Sequence, residues 1–290
     1  MGTARRRTGA VAIQRLVDIV PIRSIAIVVG VLAALIVGYD ILRLGGPGID
    51  LAAYLRASDV DPYRLGVGSR DAFVYSPAFL EATWALRQIP YAAAQTIWLG
   101  ANLVALVALA GPWTVVAVLA PPVTIELAVG NVHLLLAVAV IAGFRWPGAW
   151  AFVLFTKPSA GVGLLWFAVR REWRSLGIAV ATTAGLGLLS AAMAPDLWLA
   201  WIRLLLDNAG TVPDGALLSI PVVPRIVVAG VLVVFGAHRN WRWTVPLGCL
   251  IALPVIWMGS LAMLVGMIPS IFRGRATPIA FSQRPAVETP

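Results

Sequence analysis

Charge is what this sequence has least of. Only 12% of its 290 residues are Asp, Glu, Lys or Arg, against 60% hydrophobic, and mean hydropathy is +0.89. A soluble domain carries about twice that charge fraction. A water-soluble core of this size needs a polar shell that the chain cannot supply, whereas lipid lets apolar residues face outward. Cysteine is almost absent: Cys249 alone excludes an internal disulfide and a cysteine-based metal site. The two histidines, His133 and His238, stand far apart, which argues against zinc. There is no Walker loop, dinucleotide fingerprint or Gly-x-Ser-x-Gly elbow, so no nucleotide-sugar domain is evident. Lysine occurs once, at Lys157. The arginines punctuate apolar runs instead of gathering on one polar segment. Despite a net charge of +9, this is a pattern of topology signals, not of nucleic-acid binding.

What is present reads as an all-α polytopic integral membrane protein of about 9–10 transmembrane helices, some short or broken. The 12 tryptophans suit interfacial belts. Residues 1–18 form a basic cytoplasmic N-terminus and 19–272 one transmembrane domain. Residues 273–290 form a cytoplasmic tail without the composition for a core. The first span runs from Ile19 to Gly38 as an uncleaved anchor, since no A-x-A site follows it. Arg5, Arg6, Arg7, Arg15 and Arg23 before or at its start put the N-terminus inside. Residues 39–90 then form a long outer loop and 195–221 a second one, with an amphipathic piece around Trp198, Trp201 and Leu205. Spans are expected at Tyr91–Ala110, turned by Gly111-Pro112, and at Trp113–Val129, turned by Gly130-Asn131. Others follow at Val132–Phe144, Leu176–Ala194 and Val222–Ala237. Lys157-Pro158 interrupts a short segment between Trp146 and Val169, and Pro254 and Gly259 break Trp243–Phe272 into two short helices. About 10 carboxylates fall outside and about 3 inside, so chemistry is sought on the outer face.

Asp50 sits near the start of a short helix continuing to about Ser58. A carboxylate there is either a helix cap or a general base at the membrane surface. Asp59 and Asp61 offer oxygens to a divalent cation, or are solvated turn residues before Pro62. Tyr54, Tyr63, Phe73 and Tyr75 form either a sugar platform or an apolar face that docks the loop. Lys157, a cation in an apolar stretch, either pairs with a phosphate or snorkels to the interface. Glu126, Asn131 and His133 share an outer turn, where a lone histidine is commonly a hydrogen-bonded packing residue.

In sequence order, Asp50-x-x-x-Tyr54, Asp61-Pro62-Tyr63 and Phe73-Val74-Tyr75-Ser76-Pro77 resemble the C-class membrane glycosyltransferases. More narrowly they resemble glycosyltransferase family 87, the bacterial polyprenyl-phosphate-mannose-dependent mannosyltransferases. Gly130-Asn131-Val132-His133-Leu134-Leu135 is similar to that family's Gly-Gln-x-Asn-x-Leu turn. Thr156-Lys157-Pro158 with Arg171-Glu172-Trp173-Arg174 is similar to its Lys-Pro segment and basic loop. Leu253-Pro254-Val255-Ile256-Trp257 resembles its late Ser-Pro-x-Ser-Trp stretch. After Trp257 this chain has Met258-Gly259-Ser260, where the family usually shows His. The resemblance runs over roughly Ile19 to Phe272.

The resemblance implies transfer of a hexose, mannose first, from a polyprenyl-phosphate donor to a glycolipid or glycan acceptor on the outer face of a bacterial plasma membrane. Asp50 would be the catalytic base. Lys157, with Arg64 or Arg70, would bind the donor phosphate. Tyr54, Asp61, Tyr63, Tyr75, Asn131 and His133 would line the substrate site. The resemblance fixes no cofactor beyond the polyprenyl-phosphate-linked sugar as donor substrate, and leaves a divalent cation as a candidate. Two readings of other classes stand beside this one. The first is a catalytically silent relative that binds or flips lipid-linked sugar. The second is a small-solute transporter, which would need paired charges at mid-depth.

Overall fold

The computed structural model describes residues 48–272. The expected first span, the basic N-terminus and the tail from 273 lie outside the described residues, as does the start of the outer loop. Every regular element among the described residues is helical. The outer loop holds α1 (Ile49–Leu55), α2 (Pro77–Ala82) and α3 (Trp84–Arg87). The bundle follows with α4 (Tyr91–Ala110), α5 (Thr114–Val118), α6 (Pro121–Val129), α7 (His133–Ala142), α8 (Trp150–Thr156), α9 (Leu165–Val169) and α10 (Trp173–Met193). It is completed by α11 (Pro195–Asp207), α12 (Val222–Arg239), α13 (Thr244–Ile251) and α14 (Ile268–Phe272). Tight 3-10 stretches at Pro158–Leu164 and Gly259–Met267 fill two gaps.

Three helical runs are long and apolar enough to cross a membrane: Tyr91–Val118, Trp173–Met193 and Val222–Arg239. α6 and α7 make a fourth if they are one span bent by 105°. Their outward residues are apolar: Leu188 and Val231 are 72% and 66% exposed. That surface is tolerable only against lipid. Pro147–Thr156, Pro158–Val169 and Gly259–Ile271 are shorter apolar helices. The described residues thus hold fewer full-length spans than hydropathy suggests, because Pro, Gly and Lys157 cut the apolar runs into pieces too short to cross alone.

One boundary is corrected. Gly111-Pro112 was expected to reverse the chain before a span over Trp113–Val129. Gly111 does leave helical geometry (φ 56°), but the apolar helical run continues to Val118. The break falls instead at Ala120, which is extended (φ −72°, ψ 127°) ahead of Pro121. A residue before proline is disfavoured in helix, and Pro121 then starts α6 at a position that needs no N–H donor. The outer-loop helix is also shorter than expected, closing at Leu55.

Broken helices leave backbone groups that lipid cannot satisfy. Here protein satisfies them. Buried Arg225, on α12, donates to the carbonyls of Ile220, Ile251 (3.2 Å) and Pro254 (2.6 Å), capping the end of α13 and the irregular stretch after it. Leu217 N–H donates to Ile256 O (2.8 Å), and Trp257 N–H to Ser260 Oγ (3.1 Å).

Candidate active site

Two turns build the site. At the first, Ser76 caps α2: its Oγ accepts from Phe79 N–H, and Pro77 occupies the first turn. Ser76 N–H donates to Phe155 O (3.1 Å), which fixes the outer loop to the end of α8, two residues before Lys157. At the second, Gly130 ends α6 in the left-handed conformation (φ 73°). A Cβ at Gly130 would lie 3.0 Å from Leu51 Cβ, so α1 packs directly on this turn. Gly48 N–H donates to Ala128 O (2.8 Å), and Trp98 Nε1 donates to Gly130 O (2.8 Å).

This packing brings Asp50 to Asn131. The amide Nδ2 donates to Asp50 Oδ2 at 2.6 Å. The Asn131 Oδ1 accepts from Val132 N–H (2.7 Å) and from the Tyr54 hydroxyl (3.1 Å). Two donors on Oδ1 fix the amide orientation with its NH2 toward the carboxylate. Tyr54 has spent its single proton on Asn131, so Tyr75 donates to Tyr54 across their 2.9 Å contact. Lys157 Nζ lies 4.6 Å above the Tyr75 ring, at cation–π distance. Asp50, Asn131, Tyr54, Tyr75 and Lys157 therefore form one connected set, drawn from α1, the α6–α7 turn, the outer loop and the end of α8.

Burial raises the Asp50 carboxyl above its ordinary range. The Asn131 hydrogen bond opposes that rise, the Glu126 carboxylate adds to it, and His133 and Lys157 oppose it. Among the described residues no carboxylate is within ion-pair distance of Lys157. Its charge is left to a ring face and to longer-range carboxylates, which suits it to an anionic ligand.

The other expected residues are placed differently. Tyr54 and Tyr75 are buried, at 1% and 3% exposed, and their rings meet edge to face at 5.0 Å. Phe73 and Phe79 pack on them, so this cluster anchors the loop and presents no open ring. Half-buried Tyr63 donates to Tyr75 O (2.9 Å) at the edge of the cluster. Asp61 is an exposed turn residue whose N–H is held by Ser58 Oγ. Arg64 and Arg70 are exposed on the same loop. Asp59 pairs with Arg87 at 2.6 Å. Among the described residues no group of three His, Cys, Asp or Glu side chains could hold a metal ion. His133 is buried, with Nδ1 2.9 Å from Glu126 Oε2 and Nε2 3.2 Å from Ser260 Oγ. The link to Ser260 was not legible in sequence, because it joins positions 127 residues apart; only the carboxylate at Glu126 inside an apolar run signalled it.

An apolar groove of about 440 Å³, lined by Leu154, Phe155, Gly187, Leu188, Trp198 and Trp201, opens beside the α8 end that carries Lys157. Trp201 Nε1 donates to Val74 O (3.2 Å), so the groove wall is tied to the loop that bears Tyr75.

Together these features define an all-α polytopic membrane protein with a half-buried carboxylate and a lysine gathered where a soluble-type loop meets broken helices. The family model of glycosyltransferase family 87 matches residues 73–285, and the chain belongs to that family. Membership makes it a membrane glycosyltransferase. The match includes Tyr75, Asn131 and Lys157 and begins after Asp50 and Tyr54. No curated protein matches the chain, and no solved structure matches it.

Proposed function

We propose that the chain transfers a hexose, mannose first, from a polyprenyl-phosphate donor to a hydroxyl of a glycolipid or glycan acceptor at the outer face of a bacterial plasma membrane. The observation that carries this reading is the connected set running from the Asp50 carboxylate through Asn131, Tyr54 and Tyr75 to the Lys157 ammonium. Asn131 occupies Asp50 Oδ2 and leaves Oδ1 for the acceptor. The acceptor O–H gives its proton to Oδ1 as its oxygen attacks the anomeric carbon. The bond from that carbon to the phosphate oxygen breaks, and its electron pair leaves with the polyprenyl phosphate. Attack opposite the leaving group inverts the anomeric centre. Lys157 stabilises the charge developing on the phosphate, an electrostatic contribution aimed at the transition state. The apolar groove along α8, the helix that ends just before Lys157, suits the prenyl chain.

The experiment measures sugar transfer from radiolabelled polyprenyl-phosphate-mannose in membranes holding equal amounts of each variant. Asp50→Asn keeps the hydrogen-bonding shape and lowers transfer by about 100-fold or more, since a general base contributes roughly 100- to 10,000-fold. Lys157→Ala raises the donor KM and lowers kcat. Full transfer by Asp50→Asn would remove the base assignment.

A further inference from the structure

Glu126, His133 and Ser260 lie outside the reacting set and form a fully enclosed polar string, at 0%, 2% and 0% exposed. They come from α6, the start of α7 and the 259–267 segment. His133 N–H donates to Glu126 Oε1 at 2.6 Å, and the ring Nδ1 lies 2.9 Å from Oε2. Ser260 Oγ accepts from Trp257 N–H at 3.1 Å, which leaves its proton for His133 Nε2 at 3.2 Å. The bonds fit an imidazole that donates from Nδ1 and accepts at Nε2. Packing is close here as well: a Cβ on Gly259 would sit 3.1 Å from Glu126 Oε2.

A Ser-His-Glu string also suits nucleophilic catalysis. Here the serine oxygen is enclosed and already engaged by Trp257, so no substrate reaches it. Both ring nitrogens of His133 are engaged too, which leaves none for a sugar. What the string does enclose is the turn itself. Glu126 and His133 bracket Gly130-Asn131, and Asn131 holds the Asp50 carboxylate. We propose that Glu126, His133 and Ser260 are positioning residues: their hydrogen bonds clamp both ends of the α6–α7 turn to each other and to the 259–267 segment, keeping the Asn131 amide on Asp50. The inference rests on Asp50 being the base.

Two measurements test it. In steady-state transfer, His133→Asn lowers kcat between about 10- and 100-fold with KM little changed, as a displaced reacting group does. In an Asn131→Ala background the same substitution costs less than about 2-fold, because coupled residues are not additive. Additive losses, or a raised KM with kcat unchanged, would overturn the clamp; the second would put the ring on substrate.

The other measurement needs no substrate. Val132 is 0% exposed, and native Cys249 is buried. Val132→Cys therefore labels slowly with a maleimide. Adding Glu126→Leu, which opens the string, speeds labelling at least about 10-fold, while Glu126→Gln, which can still bridge to the other imidazole tautomer, does not. Ser260→Ala, a milder break, speeds labelling as well and serves if Glu126→Leu fails to accumulate. Unchanged labelling in both breaking variants would overturn the clamp, whatever the transfer assay shows. If the wild type transfers no sugar, the base reading falls and the labelling still decides the clamp.

Discussion

At the scale of the residue, Asp50 as the proposed base meets two opposed demands. A general base must be ionised to accept a proton, yet burial disfavours its charged form and raises its affinity for that proton. The rise makes the base stronger and the folded protein weaker. A carboxyl whose folded pKa lies above its unfolded value binds the proton more tightly when folded. Stability is then gained as pH falls through the raised pKa and is lost above it. Asp50→Asn removes that cost while preserving shape, so we expect its unfolding temperature in detergent at pH 7 to equal or exceed that of the wild type as transfer collapses. A clear drop in unfolding temperature would mean that Asp50 is a structural cap. The same logic gives a pH profile: kcat/KM falls as acid protonates Asp50, with the limb above the ordinary carboxyl value of 3.8. The titratable groups facing Asp50 are Glu126 and His133 at the α6–α7 turn and Lys157 at the end of α8. Glu126→Gln deletes the carboxylate that adds to the rise and moves the acid limb to lower pH. A limb that stays in place would show that Glu126 does not act on Asp50.

At the scale of the element, the α6–α7 turn decides whether the site exists. Gly130 holds a positive φ that costs an L-residue roughly 1–2 kcal/mol, and its α-carbon faces Leu51 on the helix that carries Asp50. Gly130→Ala is expected to lower stability by about 1–3 kcal/mol and to cut transfer, because Asn131 is the next residue. Thermal unfolding and transfer measured on one preparation check both; an Ala variant with wild-type values in each would show that the turn is not under strain. Much of this architecture could be read in advance. Pro, Gly and hydropathy mark Tyr91–Ala110, the Lys157-Pro158 interruption, the amphipathic α11 and the broken stretch around Pro254. The exchange between Tyr54, Tyr75 and Asn131 could not be read, since hydrogen bonds over separations of 21 and 77 residues leave no local pattern. Nor could Arg225: in sequence it is one more arginine near a span end, and only the fold supplies the carbonyls of Ile251 and Pro254 that account for its burial. The aromatic residues were legible as a set but not in role, because a ring face offered to sugar and one packed on its neighbours have the same spacing.

At the scale of the whole molecule, polarity separates the two ends of the bundle. At one end the outer loop, α11 and the break after α13 meet through Trp201 and Val74, Gly68 and Pro213, and Leu217 and Ile256. Asp50 and Lys157 belong to this end. At the other, Arg242 lies over the Phe144 ring and Arg170 donates to Ala237 O, gathering the helix ends that carry Arg145, Arg171, Arg174 and Arg239. By the positive-inside rule clustered arginine would mark the cytoplasmic side, so the proposed function requires the carboxylate end to face out. Exposed Asp61 and Arg174 report on the two ends. In intact cells, Asp61→Cys is expected to react with a membrane-impermeant maleimide, whereas Arg174→Cys reacts only after permeabilisation, with buried Cys249 contributing little signal. That result would put the proposed base where soluble nucleotide sugars are absent, and would leave a sugar carried on a lipid phosphate as the donor chemistry the site could meet. The reverse labelling would turn Asp50 toward the cytoplasm, open the site to nucleotide-activated donors, and deprive Lys157 of the lipid-phosphate role assigned to it.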